Sequence, residues 1–332
     1  GWFKKNYRTY GLFACAMTIA LIVGWYVGST TGFNEATAAA VQPVRFNDPE
    51  YPFISPLVGL VSDPSSFYDE LARVKSDVES LIAKEKRAGN VQEISLYFRL
   101  PAGHWFGIHP DQTFDPGSLL KLPIMIAYLK QAQENPSVLS KRYFYGQREK
   151  LLPNELTPQL RLNSYYSAEE LIKSMIIDSD NLAKDILLDS LDETYLTDII
   201  QEMDAGFLQS KDQIQVSPRE YVRFLSRLYS ATFLNRYYSN YALTLLSKTT
   251  YTDGLVAGLP SEVVVAHKYG ERGIYENKRP VGLELHDCGI VYVPGNPYYL
   301  CIMTKGDDTA ALTNVIKKIS AMIYADRESF SP

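Results

Sequence analysis

The chain has 332 residues, 46% of them hydrophobic and 21% charged, enough apolar material for one large domain or two modest ones. Its net charge of −5 gives no basic surplus to follow a phosphate backbone, which argues against nucleic acid as a partner. The 24 tyrosines are scattered, with no internal repeat or low-complexity tract.

Lys4, Lys5 and Arg8 precede an uncharged apolar stretch, residues 11–28, edged by Tyr10, Trp25 and Tyr26. At about 1.5 Å per residue it spans about 27 Å as a helix, close to the hydrocarbon thickness of a bilayer. Interfacial aromatics and basic residues on the short side predict a single-pass anchor over residues 1–28. The N-terminus is then cytoplasmic and the remainder extracytoplasmic, with the lipid bilayer a partner through residues 11–28. A cleaved signal peptide is the other reading, with Ala38-Ala39-Ala40 as a small-residue site and a secreted product. That site lies well beyond the apolar run, which favours the anchor. Residues 29–65 carry Pro43, Pro49, Pro52, Pro56 and Pro64 and read as a linker or loose extension.

A domain over residues 66–332 follows. A helix opens near Ser66, buries Phe67, Leu71, Val74, Val78, Leu81 and Ile82, and stops at Gly89-Asn90. Ile94, Leu96, Phe98 and Leu100 alternate as a strand, and residues 104–108 suit its hairpin partner. A helical block spans about 118–255, with strands near 262–268, 282–293 and 298–304. Pro294-Gly295-Asn296-Pro297 turns the last hairpin. Leu312, Val315, Ile316, Ile319, Met322 and Ile323 mark one face of a terminal helix. The expected class is α+β: a five-stranded antiparallel sheet flanked by N- and C-terminal helices, with an inserted all-helical lobe.

Three motifs carry chemistry. In Gly117-Ser118-Leu119-Leu120-Lys121, a lysine enters a helix that is otherwise apolar on every side. Burial draws a lysine towards the free amine, and a three-residue spacing places Ser118 beside it, the layout of an activated nucleophile. The bland alternative is a snorkelling lysine and a helix-capping serine. Ser179-Asp180-Asn181 falls in a short turn between two helices, the first opened by the capping box Ser167-Ala168-Glu169-Glu170. Such residues often satisfy only local backbone; in a cleft they relay a proton and hold an amide. Lys268-Tyr269-Gly270 ends the apolar strand Val263-Val264-Val265-Ala266, where glycine admits a ligand close to an edge strand and lysine offers a positive charge.

Ser-x-x-Lys, Ser-Asp-Asn 61 residues after the first serine, and Lys-x-Gly together resemble the serine β-lactamase and penicillin-binding protein superfamily, in its class A branch. The resemblance covers roughly residues 66–325. It implies Ser118 as the acylated nucleophile and Lys121 as its base, Ser179 and Asn181 lining the site, and Lys268 binding the substrate carboxylate. Tyr269, Gly270 and Glu271 would form the substrate-binding strand, with the N–H groups of Ser118 and Glu271 as oxyanion hole. The implied partner is a β-lactam or a peptidoglycan-peptide-like substrate.

Two departures bear on activity. Tyr269 stands where the family has a small hydroxyl residue, so carboxylate recognition is altered. Glu-x-x-Leu-Asn, which activates the deacylating water in class A enzymes, is missing, and Glu220 completes a capping box, Ser217-Pro218-Arg219-Glu220. The expectation is acylation with slow deacylation. Three functions stay open: a membrane-anchored acyl-transfer enzyme, a β-lactamase or a DD-peptidase; an esterase or amidase on another substrate; and a non-catalytic cell-surface binding module.

Four histidines, His104, His109, His267 and His286, lack metal-ligand spacing, so neither metal nor cofactor is expected. His286 beside Asp287 suggests a structural pair. Tyr238-Ser239-Asn240 mimics a motif of a related hydrolase class but sits in a helical stretch and reads as a decoy. Cys15 falls in the apolar segment. Cys288 and Cys301 fit adjacent strands, where register decides whether they bond.

Overall fold

The computed structural model describes residues 40–45, 49–63, 68–146, 159–204, 208–210 and 213–330. The anchor reading, residues 11–28, lies outside them, and no helix among the described residues is long and apolar enough to cross a membrane. The chain divides into two units, Gly1–Gln42 with Val61–Ser66 and Pro43–Leu60 with Phe67–Pro332. Of the first, the described residues 40–42 and 61–63 belong to strands β1 (Ala40–Arg45) and β2 (Leu57–Asp63).

In the second unit, helix α1 (Tyr68–Arg87) buries Leu71, Val74, Val78 and Ile82 at helical spacing. It ends in a left-handed glycine cap: Gly89 has φ +76°, and the Gly89 and Asn90 N–H groups donate to the carbonyls of Lys86 and Glu85. Strands β3 (Glu93–Arg99) and β4 (Trp105–Ile108) follow. Helix α2 (Lys121–Glu134) then enters the core, and a ribbon pairs β5 (Arg142–Tyr145) with β6 (Ser164–Ser167). Helices α3 (Ala168–Ile177), α4 (Asn181–Asp189) and α5 (Glu193–Glu202) lead to a short ribbon of β7 (Leu208–Ser210) and β8 (Gln213–Gln215). Helices α6 (Pro218–Tyr229) and α7 (Arg236–Leu246) complete the lobe. Strands β9 (Val264–Glu276), β10 (Arg279–Tyr292) and β11 (Tyr298–Gly306) and helix α8 (Thr309–Ala325) close the chain.

One antiparallel sheet of order β4-β3-β11-β10-β9 joins strands from both ends of the domain. Helices α1 and α8 cover one face, where Leu312, Val315, Ile316, Ile319 and Ile323 pack with Leu96, Phe98 and Ile302. Each such side chain contributes about 1.5–3 kcal/mol when fully buried. The helical lobe covers the other face, packing Leu122, Met125, Phe224 and Leu228 with Tyr97, Cys288, Cys301 and Met303. Buried on both faces, β11 reads as a continuous apolar run rather than an alternating one.

Four expectations need amendment. The lobe is not all helical, because aromatic cross-strand pairs, Tyr143 opposite Tyr166 and Phe144 opposite Tyr165, stabilise a ribbon inside it. Part of the segment read as a linker is docked on the domain. Arg45 donates to the carbonyls of Ser55 and Pro101, Ile54 is buried in the core, and the Phe53 N–H donates to Asn240 Oδ1. Strands β9 and β10 reach further than expected, since Asn277 and Lys278, with φ +50° and +63°, make a two-residue hairpin turn that extends both outward. Asp287 pairs with His267 rather than with its neighbour His286, because adjacent strand residues point to opposite faces.

Register also decides the cysteines: Cys288 and Cys301 stand directly opposite on β10 and β11, and a disulfide joins them.

Candidate active site

Lys121 opens α2 and is fully buried. A 3₁₀ turn, Gly117–Leu120, precedes it, and Ser118 makes no side-chain cap there, so its hydroxyl is left for other work. Lys121 Nζ lies 2.9 Å from Ser118 Oγ, 2.5 Å from the Ser179 carbonyl, 2.9 Å from Ser179 Oγ and 2.7 Å from Asn181 Oδ1. Burial, then the nearby charge of Lys268, lowers its pKa to about 6, so the amine is mostly uncharged at pH 7. A carbonyl and an amide oxygen can only accept, so they take the two N–H bonds of the neutral amine. Its lone pair is then free to accept a proton from a hydroxyl, and Ser118 is in reach.

Ser179 holds the turn between α3 and α4 in a left-handed conformation, φ +58°, uncommon for a residue with a side chain. Asp180 fixes that turn. Its Oδ1 accepts from the Ala183 N–H as the cap of α4, and its Oδ2 accepts from the hydroxyls of Tyr145 and Ser174 at 2.7 and 2.8 Å. The carboxylate is almost fully buried, and these bonds compensate its desolvation. Ser179 Oγ thereby sits between two amines, with Lys268 Nζ at 3.0 Å on its other side. It can accept from Lys268 and donate to Lys121, so a proton can pass through it between the two amines.

Lys268 lies near the middle of β9, the edge strand of the sheet, and is fully buried. Burial lowers its pKa to about 7, against the opposing pull of Asp287. Gly270, two residues along, faces the turn that carries Ser118: a Cβ there would meet the Pro116 carbonyl at 2.6 Å. From the other side Gly117, φ +49°, lies against Glu271, whose carbonyl oxygen would stand 2.6 Å from a Cβ at 117. The backbone of Glu271 therefore abuts the turn that carries Ser118. His286 supports this turn from beneath. Burial pushes its pKa down to about 4; the Thr304 N–H donates to its Nδ1, so the neutral ring donates from Nε2 to the Asp115 carbonyl.

The structure thus brings Ser118, Lys121, Ser179, Asn181 and Lys268 into one hydrogen-bonded cluster, with Tyr269, Gly270 and Glu271 alongside. Glu220 forms the capping box of α6, its Oε2 accepting from the N–H and hydroxyl of Ser217 at 2.9 and 2.8 Å. Ser239 and Asn240 are structural, the former donating to the Leu234 carbonyl and the latter accepting from Phe53. Sequence reading missed Tyr145 and Ser174 as the partners that fix Asp180. The one available signal was an aspartate capping an apolar helix.

Residues 73–326 match the model of a family described as "Beta-lactamase enzyme family". Among curated proteins, the chain is 27% identical over 273 residues to a beta-lactamase of Streptomyces albus G, covering 76% of this chain and 84% of that one. It is 24% identical over 241 residues to the extended-spectrum beta-lactamase PER-1 of Pseudomonas aeruginosa, covering 65% of this chain and 76% of the relative. Among solved structures, a point mutant of PBP-A, captured as an acyl-enzyme complex with penicillin-G, superposes with a TM-score of 0.65 at 25% identity, covering 78% and 97% of the two chains. The extended-spectrum beta-lactamase TLA-1 shares the fold, with a TM-score of 0.67 at 18% identity over 78% and 99%. The chain belongs to the beta-lactamase enzyme family and is a beta-lactamase-like serine hydrolase.

Proposed function

We propose that Ser118 forms an acyl-enzyme with a β-lactam or a D-alanyl-type peptide amide, and that the acyl-enzyme decays slowly. The observation that carries this reading is the fully buried Lys121 amine 2.9 Å from Ser118 Oγ, where burial favours its uncharged form. As Oγ bonds to the substrate carbonyl carbon, its proton passes to Lys121 Nζ. The backbone N–H groups of Ser118 and Glu271 hold the oxyanion. On collapse the C–N bond breaks, and the leaving nitrogen takes a proton delivered from Lys121 through the Ser179 hydroxyl. Water then cleaves the ester and returns the proton to Ser118.

Slow decay is supported by the segment between α5 and α6, which lacks Glu-x-x-Leu-Asn. It is supported as well by Glu220, the carboxylate in the sequence that most invites that role, because its capping bonds to Ser217 occupy it. General base catalysis contributes on the order of a hundred- to ten-thousand-fold. We place the domain outside the cytoplasm, tethered through residues 11–28; the Cys288–Cys301 disulfide suits an oxidising compartment.

Intact-protein mass spectrometry after mixing the full chain with benzylpenicillin tests the acylation and its lifetime. A persistent adduct on the parent but not on Ser118→Ala is expected. A transient adduct with product release would mean efficient turnover, and no adduct would remove β-lactam chemistry.

A further inference from the structure

Lys268 presents no surface to solvent. An ammonium has three N–H bonds. Two reach Ser179 Oγ and the Tyr269 carbonyl, each at 3.0 Å. The Tyr269 ring covers another side, its centroid 4.3 Å from Nζ, within cation–π range. Tyr251, in the loop after α7, backs that ring in a parallel stack with centroids 4.1 Å apart and planes 20° from each other. Swinging Tyr269 away from Lys268 therefore breaks a stack as well as a cation contact. Lys121 is already engaged inside the cluster, donating to the Ser179 carbonyl and Asn181 Oδ1 with the Ser118 and Ser179 hydroxyls each 2.9 Å from its Nζ. Lys184, whose charge also bears on Lys121, pairs with Asp185 at 2.6 Å, and the exposed Arg272 lies 3.6 Å from Asp115. A carboxylate arriving beside Ser118 would shed water without reaching an open ammonium, at a desolvation penalty that a neutral amide or ester avoids.

We propose that this site, given the acyl-transfer reading above on which the inference rests, selects acyl donors whose group flanking the reacting carbonyl is uncharged, with Tyr269 as the residue that closes Lys268 to carboxylates. The substrate class is then an amide- or ester-capped acyl donor, and Tyr269 determines specificity without taking part in proton transfer.

The test compares N-benzoyl-D-alanylthioglycolate, which carries a free carboxylate, with its primary amide. Rates of Ser118 acylation in the full chain are read by rapid-quench mass spectrometry. The amide is expected to acylate the parent faster by on the order of tenfold, the scale set by a hydrogen bond to a charged group. Tyr269→Thr shifts the ratio towards the carboxylate by a similar factor, whereas Tyr269→Phe, which keeps the ring and the stack, retains the parent ratio. Thermal melts establish that each variant is folded, and Tyr269→Phe carries the test if the threonine variant is not. A faster carboxylate donor on the parent overturns the inference and leaves acyl transfer standing. An amide preference that persists in folded Tyr269→Thr, or vanishes in folded Tyr269→Phe, overturns the role of the Tyr269 ring. Silence from both donors on folded parent removes the acyl-transfer reading and the inference with it.

Discussion

Replacing Lys121 with methionine separates the part of its energetics that depends on pH from the part that does not. In the fold the amine titrates at about 6; in an unfolded chain it titrates at about 10.4. Between those values unfolding takes up a proton, so this group makes stability rise with pH by about 1.4 kcal/mol per unit. At pH 7, holding the amine uncharged costs the fold ~5 kcal/mol. Methionine matches the length and removes that cost, but withdraws the Lys121 donor from the Ser179 carbonyl and Asn181 Oδ1. Each lost partner costs about 1–3 kcal/mol at any pH. The net sign at one pH is therefore uninformative, and the slope is the diagnostic. Urea unfolding of parent and Lys121→Met at several pH values should show the parent gaining ~2–3 kcal/mol on the variant between pH 7 and 9. Lys268 is present in both, and above pH 7, where Lys121 is mostly uncharged and no longer repels it, contributes nearly the same slope to each. Parallel stability profiles would refute a depressed Lys121.

Three further outcomes are expected. The rate of acylation by benzylpenicillin should climb as Lys121 loses its proton through about pH 6 and then level off; a rate that falls through this region contradicts the base role. Asp180→Ala removes the acceptor of Tyr145, Ser174 and the Ala183 N–H and should lower stability by ~3–5 kcal/mol, about 10 °C in melting temperature; a change under about 1 kcal/mol would show that this network does not hold the turn. Glu220→Ala should cost about 1 kcal/mol as a lost cap and leave the lifetime of the acyl-enzyme unchanged, and a longer lifetime would make Glu220 a deacylating base.

The parts legible in the sequence were those encoded by short-range spacing. Ser118 and Lys121 are one helical turn apart, the boxes at Ser167 and Ser217 announce their helices, and the stripe on α8 has the period of its fold. Long-range pairing was not legible. Whether Cys288 meets Cys301 depends on a strand register that neither cysteine specifies locally. The outer half of the β9–β10 hairpin carries charged and exposed residues, and its turn is Asn-Lys, without the glycine that usually announces such a turn. Asp287 has a histidine on its chain neighbour and another across the ladder. Proximity in sequence suggested the first; the alternation of strand side chains selected the second, at 2.7 Å. Tyr145, 35 residues before Asp180, becomes its partner only through the β5–β6 ribbon.

Gly117 and Gly270 meet each other's strand or turn through bare backbone, with main-chain carbonyls where side chains would otherwise intervene. Contact of this kind acts as a mechanical stop. The spacing between the Ser118 turn and the sheet edge is set by peptide planes, which have almost no compliance, while the chemistry offered beside them is written in side chains. Substitution at positions 269 and 271 therefore changes the side chains beside this contact without touching the backbone that sets its spacing. At 117 and 270, by contrast, a single added methyl group would pry the two apart.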